Sequence, residues 1–132
     1  MKYVLDASGA ASILNGEPVS ELWRSLLSQA DLVAAPDLFI SEISNVYWKY
    51  VRFSNLPVDL ARSTIHTGIR MVRHWESSAN LYEAAFSLSI QIKHSTYDCF
   101  YLVLAQQLHA TLITADRKLA TLAQSLGISV VG

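Results

Sequence analysis

The chain has almost no cysteine, no excess of positive charge and no long apolar run, and each shortage excludes a class of protein. Cys99 is the only cysteine in 132 residues. No internal disulfide can brace the fold, and a reducing cytoplasm is the simplest expected setting. With no activating partner beside it, Cys99 reads as a small apolar helix residue and not as a nucleophile. The longest evident apolar run, Phe100 to Ala105, falls well short of the ~18 residues a membrane span needs. Met1-Lys2 leads straight into Tyr3-Val4-Leu5 and an acid, so no secretory leader is expected. Ten Lys and Arg against eleven Asp and Glu leave a formal net charge of −1, whereas a generic nucleic-acid binder is usually basic. A nucleic-acid substrate would therefore have to be attracted by local clusters or by metal ions. His66, His74, His94 and His109 lack zinc-ligand spacing and read as surface or packing residues. His94 is set apart only by its closeness to Asp98.

What is present suits a compact fold. A hydrophobic fraction of 52% with 16% charged residues argues against disorder. A chain of this length buries roughly two-thirds of its unfolded surface as one domain, residues 1–132. A mean hydropathy of +0.27 and three tryptophans, Trp23, Trp48 and Trp75, suggest apolar surface covered by a partner or a second copy.

Strand and helix signals alternate. Tyr3-Val4-Leu5 reads as a buried strand ending at Asp6, with Ser8 as cap of a short helix that Gly16 and Pro18 stop. A helix is predicted over 19–28, a strand over 32–35 and a helix over 37–53, with Phe39, Ile43, Val46, Tyr47 and Tyr50 at helical spacing. Pro57 opens another helix, through about 67. Residues 69–75 are ambiguous between a strand and a helix end. Ser77 or Ser78 caps a helix to about 92, with Leu81, Ala84, Ala85, Leu88 and Ile92 inward. A helix opened by Asp98 feeds a strand over 111–114, a helix over 117–126 stopped by Gly127, and a strand over 128–131. Alternation of this kind predicts an α/β fold. Its central sheet is mainly parallel, with about four or five strands and helices on both faces in three α/β/α layers.

That topology brings distant acids to one place. Asp6 closes the first strand, and Glu42 lies in the second turn of the helix leaving the second strand. Asp98 begins a helix antiparallel to the strand it enters, and Asp116 follows that strand. All four fall at the carboxyl edge of the sheet, where open α/β sheets place their ligands. Asn45 and Lys49 share a helical face with Glu42, and Ser8 and Thr114 put hydroxyls near the same edge. Each acid taken singly has a structural explanation, as a cap, a helix-dipole partner or a solvated side chain. Capping does not require all four to share an edge. Two like charges ~4 Å apart repel by about 4 kcal/mol at an effective dielectric of 20. Four together call for protonation or a hard divalent cation, and Mg²⁺ or Mn²⁺ suits oxygen ligands with retained waters.

Val4-Leu5-Asp6-Ala7-Ser8, Pro36-x-Leu38 followed by Glu42 and Asn45, Tyr97-Asp98-Cys99-x-Tyr101-Leu102-x-Leu104-Ala105, and Leu112-Ile113-Thr114-Ala115-Asp116-Arg117-Lys118-Leu119 together resemble the PIN domain family. The nearest resemblance is to the small VapC-type toxins of prokaryotic toxin–antitoxin pairs. It spans the chain in order and spacing, while residues 56–78 carry little signature. It implies a PIN-like fold and a metal-dependent endoribonuclease. Asp6, Glu42, Asp98 and Asp116 would be the catalytic acids that hold Mg²⁺ or Mn²⁺, supported by Thr114 and, more weakly, by Asn45 and Ser8. Arg117, Lys118, Lys49 and His94 are expected phosphate contacts, with Arg52 and Arg73 as further candidates and Trp48 or Tyr97 as stacking surfaces for RNA. A VapB-type antitoxin and a homodimer, with the tryptophans as anchors, are the implied partners. The rivals are a PIN-like RNA-processing nuclease without an antitoxin and a non-catalytic RNA- or partner-binding domain. A receiver-type phosphoacceptor domain is a third, but it lacks the second acid beside Asp6 and the late lysine it would need.

Overall fold

The computed structural model describes residues 1–131. The elements in chain order are β1 (Lys2–Leu5), α1 (Ala7–Leu14), α2 (Ser20–Ser28), β2 (Leu32–Pro36), α3 (Leu38–Ser54), α4 (Val58–Met71), β3 (His74–Glu76), α5 (Ser78–Ile92), α6 (Thr96–Leu108), β4 (Thr111–Ile113), α7 (Arg117–Ser125) and β5 (Val130–Val131). The five strands form one parallel sheet in the order β3-β2-β1-β4-β5. Tyr3 pairs with Val33 on one side and Thr111 on the other, so β1 is the central strand. The chain winds outward from β1 to β3, then returns to the other side of β1 with β4. The carboxyl ends of β1 and β4 thus lie at the point where the strand order reverses, and a crevice opens there.

Burial explains why the inner strands read as continuous apolar runs. Val4, Leu5, Val33, Ala34, Ala35, Leu112 and Ile113 are all fully buried, because helices cover both faces of a parallel sheet. On one face α1 packs against α3 and α4; on the other α5 and α6 form a pair, with α6 laid over β1, β2 and β4. This is the three-layer α/β/α arrangement expected. Cys99 is fully buried on α6.

Several local expectations are corrected. Asp6 and not Ser8 caps α1, since Asp6 has extended backbone and its side chain accepts from the Gly9 amide, while Ser8 lies inside the helix. Helix α4 runs on to Met71 and the ambiguous strand is His74–Glu76. That edge strand has no apolar alternation to announce it. β4 ends at Ile113, one residue short of Thr114, and β5 begins at Val130 and not at 128. Tyr50 and Ala84 are exposed, not inward. Trp23 is 2% exposed and belongs to the core, and Trp75 packs on Phe39 with ring centroids 5.6 Å apart. Of the three tryptophans only Trp48, 55% exposed, stands on the surface. His109 closes α6 in the left-handed region at φ 51°. No helix is long and apolar enough to cross a membrane among the described residues.

Gly9 shows how closely α1 seats on the sheet. A Cβ at this position would stand 2.9 Å from the Ile113 carbonyl oxygen and 3.3 Å from Asp6 Oδ1. Backbone lies on one side and an anchored carboxylate on the other, so neither yields cheaply. Gly9→Ala is therefore expected to destabilise the fold by about 1–3 kcal/mol, read as a lowered midpoint in urea unfolding. An unchanged midpoint would mean that α1 slides freely on β1 and β4.

Candidate active site

Asp6 sits at the seam between β1 and β4 and is only 5% exposed. Its carboxylate is held on both oxygens. Oδ1 accepts from the Gly9 amide at 2.7 Å and from Ser8 Oγ at 2.8 Å, and Oδ2 accepts from Thr114 Oγ1 at 2.5 Å. Such donors favour the charged form, yet burial outweighs them and pushes the carboxyl from 3.8 up to about 6, with Glu42 adding repulsion. Thr114 and Ser8 also tie the exits of the two strands together. The Asp116 amide donates to Thr114 Oγ1 at 3.0 Å and the Ala115 amide to Ser8 Oγ at 3.0 Å.

Two more acids are aimed by α6. Tyr101 Oη donates to Glu42 Oε1 at 2.6 Å, bridging α6 to α3. Burial raises the Glu42 carboxyl, the tyrosine hydrogen bond lowers it, and Asp98 raises it further. Tyr101 is 1% exposed. Burial first, and then Glu42, push its hydroxyl far above the ordinary phenol range, so it stays a neutral donor. One turn earlier Asp98 Oδ2 meets His94 Nε2 at 2.6 Å, an i, i+4 contact. Ser95 caps α6 without any side-chain hydrogen bond, so Asp98 is not the return arm of a capping box. Asp116 differs: it is exposed, and Oδ1 accepts from the Lys118 and Leu119 amides at 2.9 and 3.2 Å as the cap of α7.

These side chains line one cavity of about 270 Å³. Its walls carry Asp6, Glu42, Asp98 and Asp116 together with Ser8, Asn45, Lys49 and Tyr101. Topology therefore does bring the four acids to a common hollow. Thr114 stands behind it, bonded to Asp6. Arg117 opens on an adjoining cleft, and His94 and Lys118 line a hollow along α7. Tyr101 was not among the expected site residues. The signal was its position three residues after Asp98, which sets both on one face of α6.

Among the described residues no three His, Cys, Asp or Glu side chains close round a single point as metal ligands do. The donor chemistry nevertheless suits a hard divalent cation. The acids supply only oxygens, and the hollow leaves space for an ion that keeps waters of its own. Among the described residues Lys49 is the one cationic side chain on its walls.

The profile of the PIN domain family matches residues 3–124. Ribonuclease VapC3 of Pyrobaculum aerophilum is 32% identical over 122 residues, which cover 91% of this chain and 93% of that protein. The crystal structure of PAE2754 from Pyrobaculum aerophilum is similar at a TM-score of 0.77 and 21% identity, over 99% of this chain and 84% of that one. VapBC2 from Rickettsia felis, solved bound to a DNA fragment from their promoter, is similar at a TM-score of 0.69 and 14% identity, over 99% and 98%. Both solved structures match in fold.

The buried carboxylate has a measurable consequence. Asp6 holds its proton more tightly in the folded chain, near 6, than at its ordinary 3.8. The folded state therefore binds more protons between those values, and metal-free stability must fall as pH rises through that window. The shift corresponds to about 3 kcal/mol. In Asp6→Asn the oxygen that caps α1 is kept and the charge is removed. Without metal this variant should melt higher than the parent near neutral pH, with the gap closing toward about pH 4. Parallel pH slopes for the two proteins would mean that Asp6 ionises as easily folded as unfolded.

Proposed function

The chain belongs to the PIN domain family, and from that premise we propose that it is a metal-dependent endoribonuclease, the toxin of a VapBC-type pair. The observation that carries this reading is the single cavity onto which acids from four separate segments open. Ribonuclease VapC3 matches the chain along nearly its whole length. Residues 1–132 act as one domain, with RNA, a VapB-type antitoxin and a second copy of the chain as partners. The exposed apolar side chains Trp48 and Phe53 on α3 and Tyr82, Phe86 and Ile90 on α5 offer surface for the two protein partners.

In this reading Asp6, Glu42, Asp98 and Asp116 would hold Mg²⁺ or Mn²⁺, which would supply activation of a water and neutralisation of charge on the leaving oxygen. The chain's own groups prepare the site. Ser8, Thr114 and the Gly9 amide keep both oxygens of Asp6 engaged, which limits its rotation. The Tyr101 hydroxyl holds Glu42, and His94 holds Asp98. Lys49, exposed on the same wall, meets the substrate phosphate. Arg117 and Lys118 continue the positive charge beyond Asp116 and meet the RNA that flanks the cut.

Asp98→Asn leaves α6 intact and removes one anionic oxygen ligand. RNA cleavage should drop by more than the roughly 10–100-fold that an outer partner of a metal site carries, with an unchanged circular dichroism spectrum. A folded Asp98→Asn protein that cuts at the parent rate would sink the reading. Tyr101→Phe tests the support of Glu42. Mn²⁺ affinity by calorimetry should weaken about 10–100-fold while the ring remains packed, and parent-like affinity would show that Glu42 needs no such anchor. Silencing of cleavage by a small DNA-binding protein encoded beside the chain separates a toxin from a processing nuclease.

A further inference from the structure

A second hollow adjoins the acidic one. It has a volume of about 560 Å³ and shares Asp116 with the acidic cavity, with Thr114, which bonds Asp6, also in its wall. That volume lies within the ~300–1,000 Å³ typical of small-molecule sites. One wall is the face of α7 that carries Arg117, Thr121 and Gln124, spaced four and three residues apart. The opposite wall is Ser12 from α1 and Glu17 from the turn that follows it.

Four of the polar side chains here are uncommitted. Glu17, Arg117, Gln124 and Ser12 make no side-chain hydrogen bond or ion pair among the described residues. Ser12 is only 5% exposed, and what is open of it faces this cleft. No buried side-chain nitrogen or oxygen lacks a partner among the described residues, so the unpartnered Ser12 hydroxyl is open to solvent and free to bond an occupant. The chemistry of the walls selects the occupant. A phosphate would meet the carboxylates of Glu17 and Asp116, and a basic side chain would meet Arg117. A neutral heteroaromatic ring with both donors and acceptors on its edges suits all four groups: Glu17 accepts, Arg117 donates, and Gln124 and Ser12 do either.

We propose that this cleft is a nucleobase subsite, taking the base of the nucleotide next to the scissile phosphate. The inference rests on the ribonuclease reading and extends it to selectivity. A single-stranded RNA laid with its phosphate at the acids turns its neighbouring base across Asp116 into the cleft, where its edge is read. Residues on the cleft walls, and not the acids, then decide which bases flank the cut.

Thr121 and Gln124 are exposed on α7, so substitutions there leave the fold intact. Short RNAs carrying each of the four bases on either side of the cut are cleaved in Mn²⁺ by the parent, Thr121→Trp and Glu17→Gln. Thr121→Trp fills the cleft and should raise KM about tenfold, the scale of one lost base-edge contact, with Mn²⁺ affinity unchanged. Glu17→Gln replaces an acceptor by a group that also donates and should change the order of preference among the four bases. Unaltered KM and preference in both variants overturn the subsite while leaving the nuclease in place. A parent that cuts none of the RNAs overturns the nuclease reading. The subsite is then judged by NMR titration with the four nucleoside monophosphates, where shifts at Arg117, Thr121 and Gln124 support it and their absence rejects it. Variants that cut RNA normally but escape inhibition by an antitoxin would assign the cleft to a protein segment and also overturn it.

Discussion

The arrangement depends on a carboxylate placed where carboxylates are uncomfortable. Asp6 lies at the seam of the two strands flanking the reversal of strand order, almost without solvent, and three donors are spent on holding it. Those donors come from both sides of the seam, so the polar contact that satisfies Asp6 also locks the exit of β1 to the exit of β4. Gly9 has no side chain because the Ile113 carbonyl occupies the space one would need. Burial still wins over hydrogen bonding in setting the proton affinity of Asp6. The fold thus carries a strained charge at its centre, and a cation is the natural relief for it.

Around that point the other acids are graded by exposure. Glu42 is half-buried and tied to a neutral tyrosine, Asp98 is partly buried beside a histidine, and Asp116 is exposed and employed as a helix cap. Helix α6 aims two of the four, since Asp98 and Tyr101 stand three residues apart on it and His94 meets Asp98 from the loop just before it. A single rigid element therefore controls the relation between Glu42 on α3 and Asp98 on α6. Asp116 has a different position in the architecture, because it is the wall common to the acidic cavity and the polar cleft beside α7. In the proposed nuclease, chemistry and selectivity would meet at that residue.

Legibility in the sequence followed physical rule strength. Long amphipathic helices such as α3 and α5, and the fully buried runs of β1, β2 and β4, have one consistent period or none, and they were readable. The edge strands were read less sharply: His74-Trp75-Glu76 fell at the end of an ambiguous stretch and the last strand was placed from 128 instead of Val130, because both are too short to establish a pattern and pairing with a neighbour makes them strands. Trp23 could be assigned to the core or to an interface only once α2 was seen packed on α1. Asp6 and Asp116 proved to be caps and cavity residues together, so the modest explanation and the functional one were not alternatives.

The order of strands and helices and the edge at which four acids gather were determined by local pattern, because periodicity and parallel topology act residue by residue. Proton affinities, the choice of Tyr101 and His94 as partners, and the polar cleft that shares Asp116 were decided only in three dimensions. They depend on desolvation and on contacts between segments as far apart as Ser8 and Thr114, and no local spacing encodes how much water is left between them.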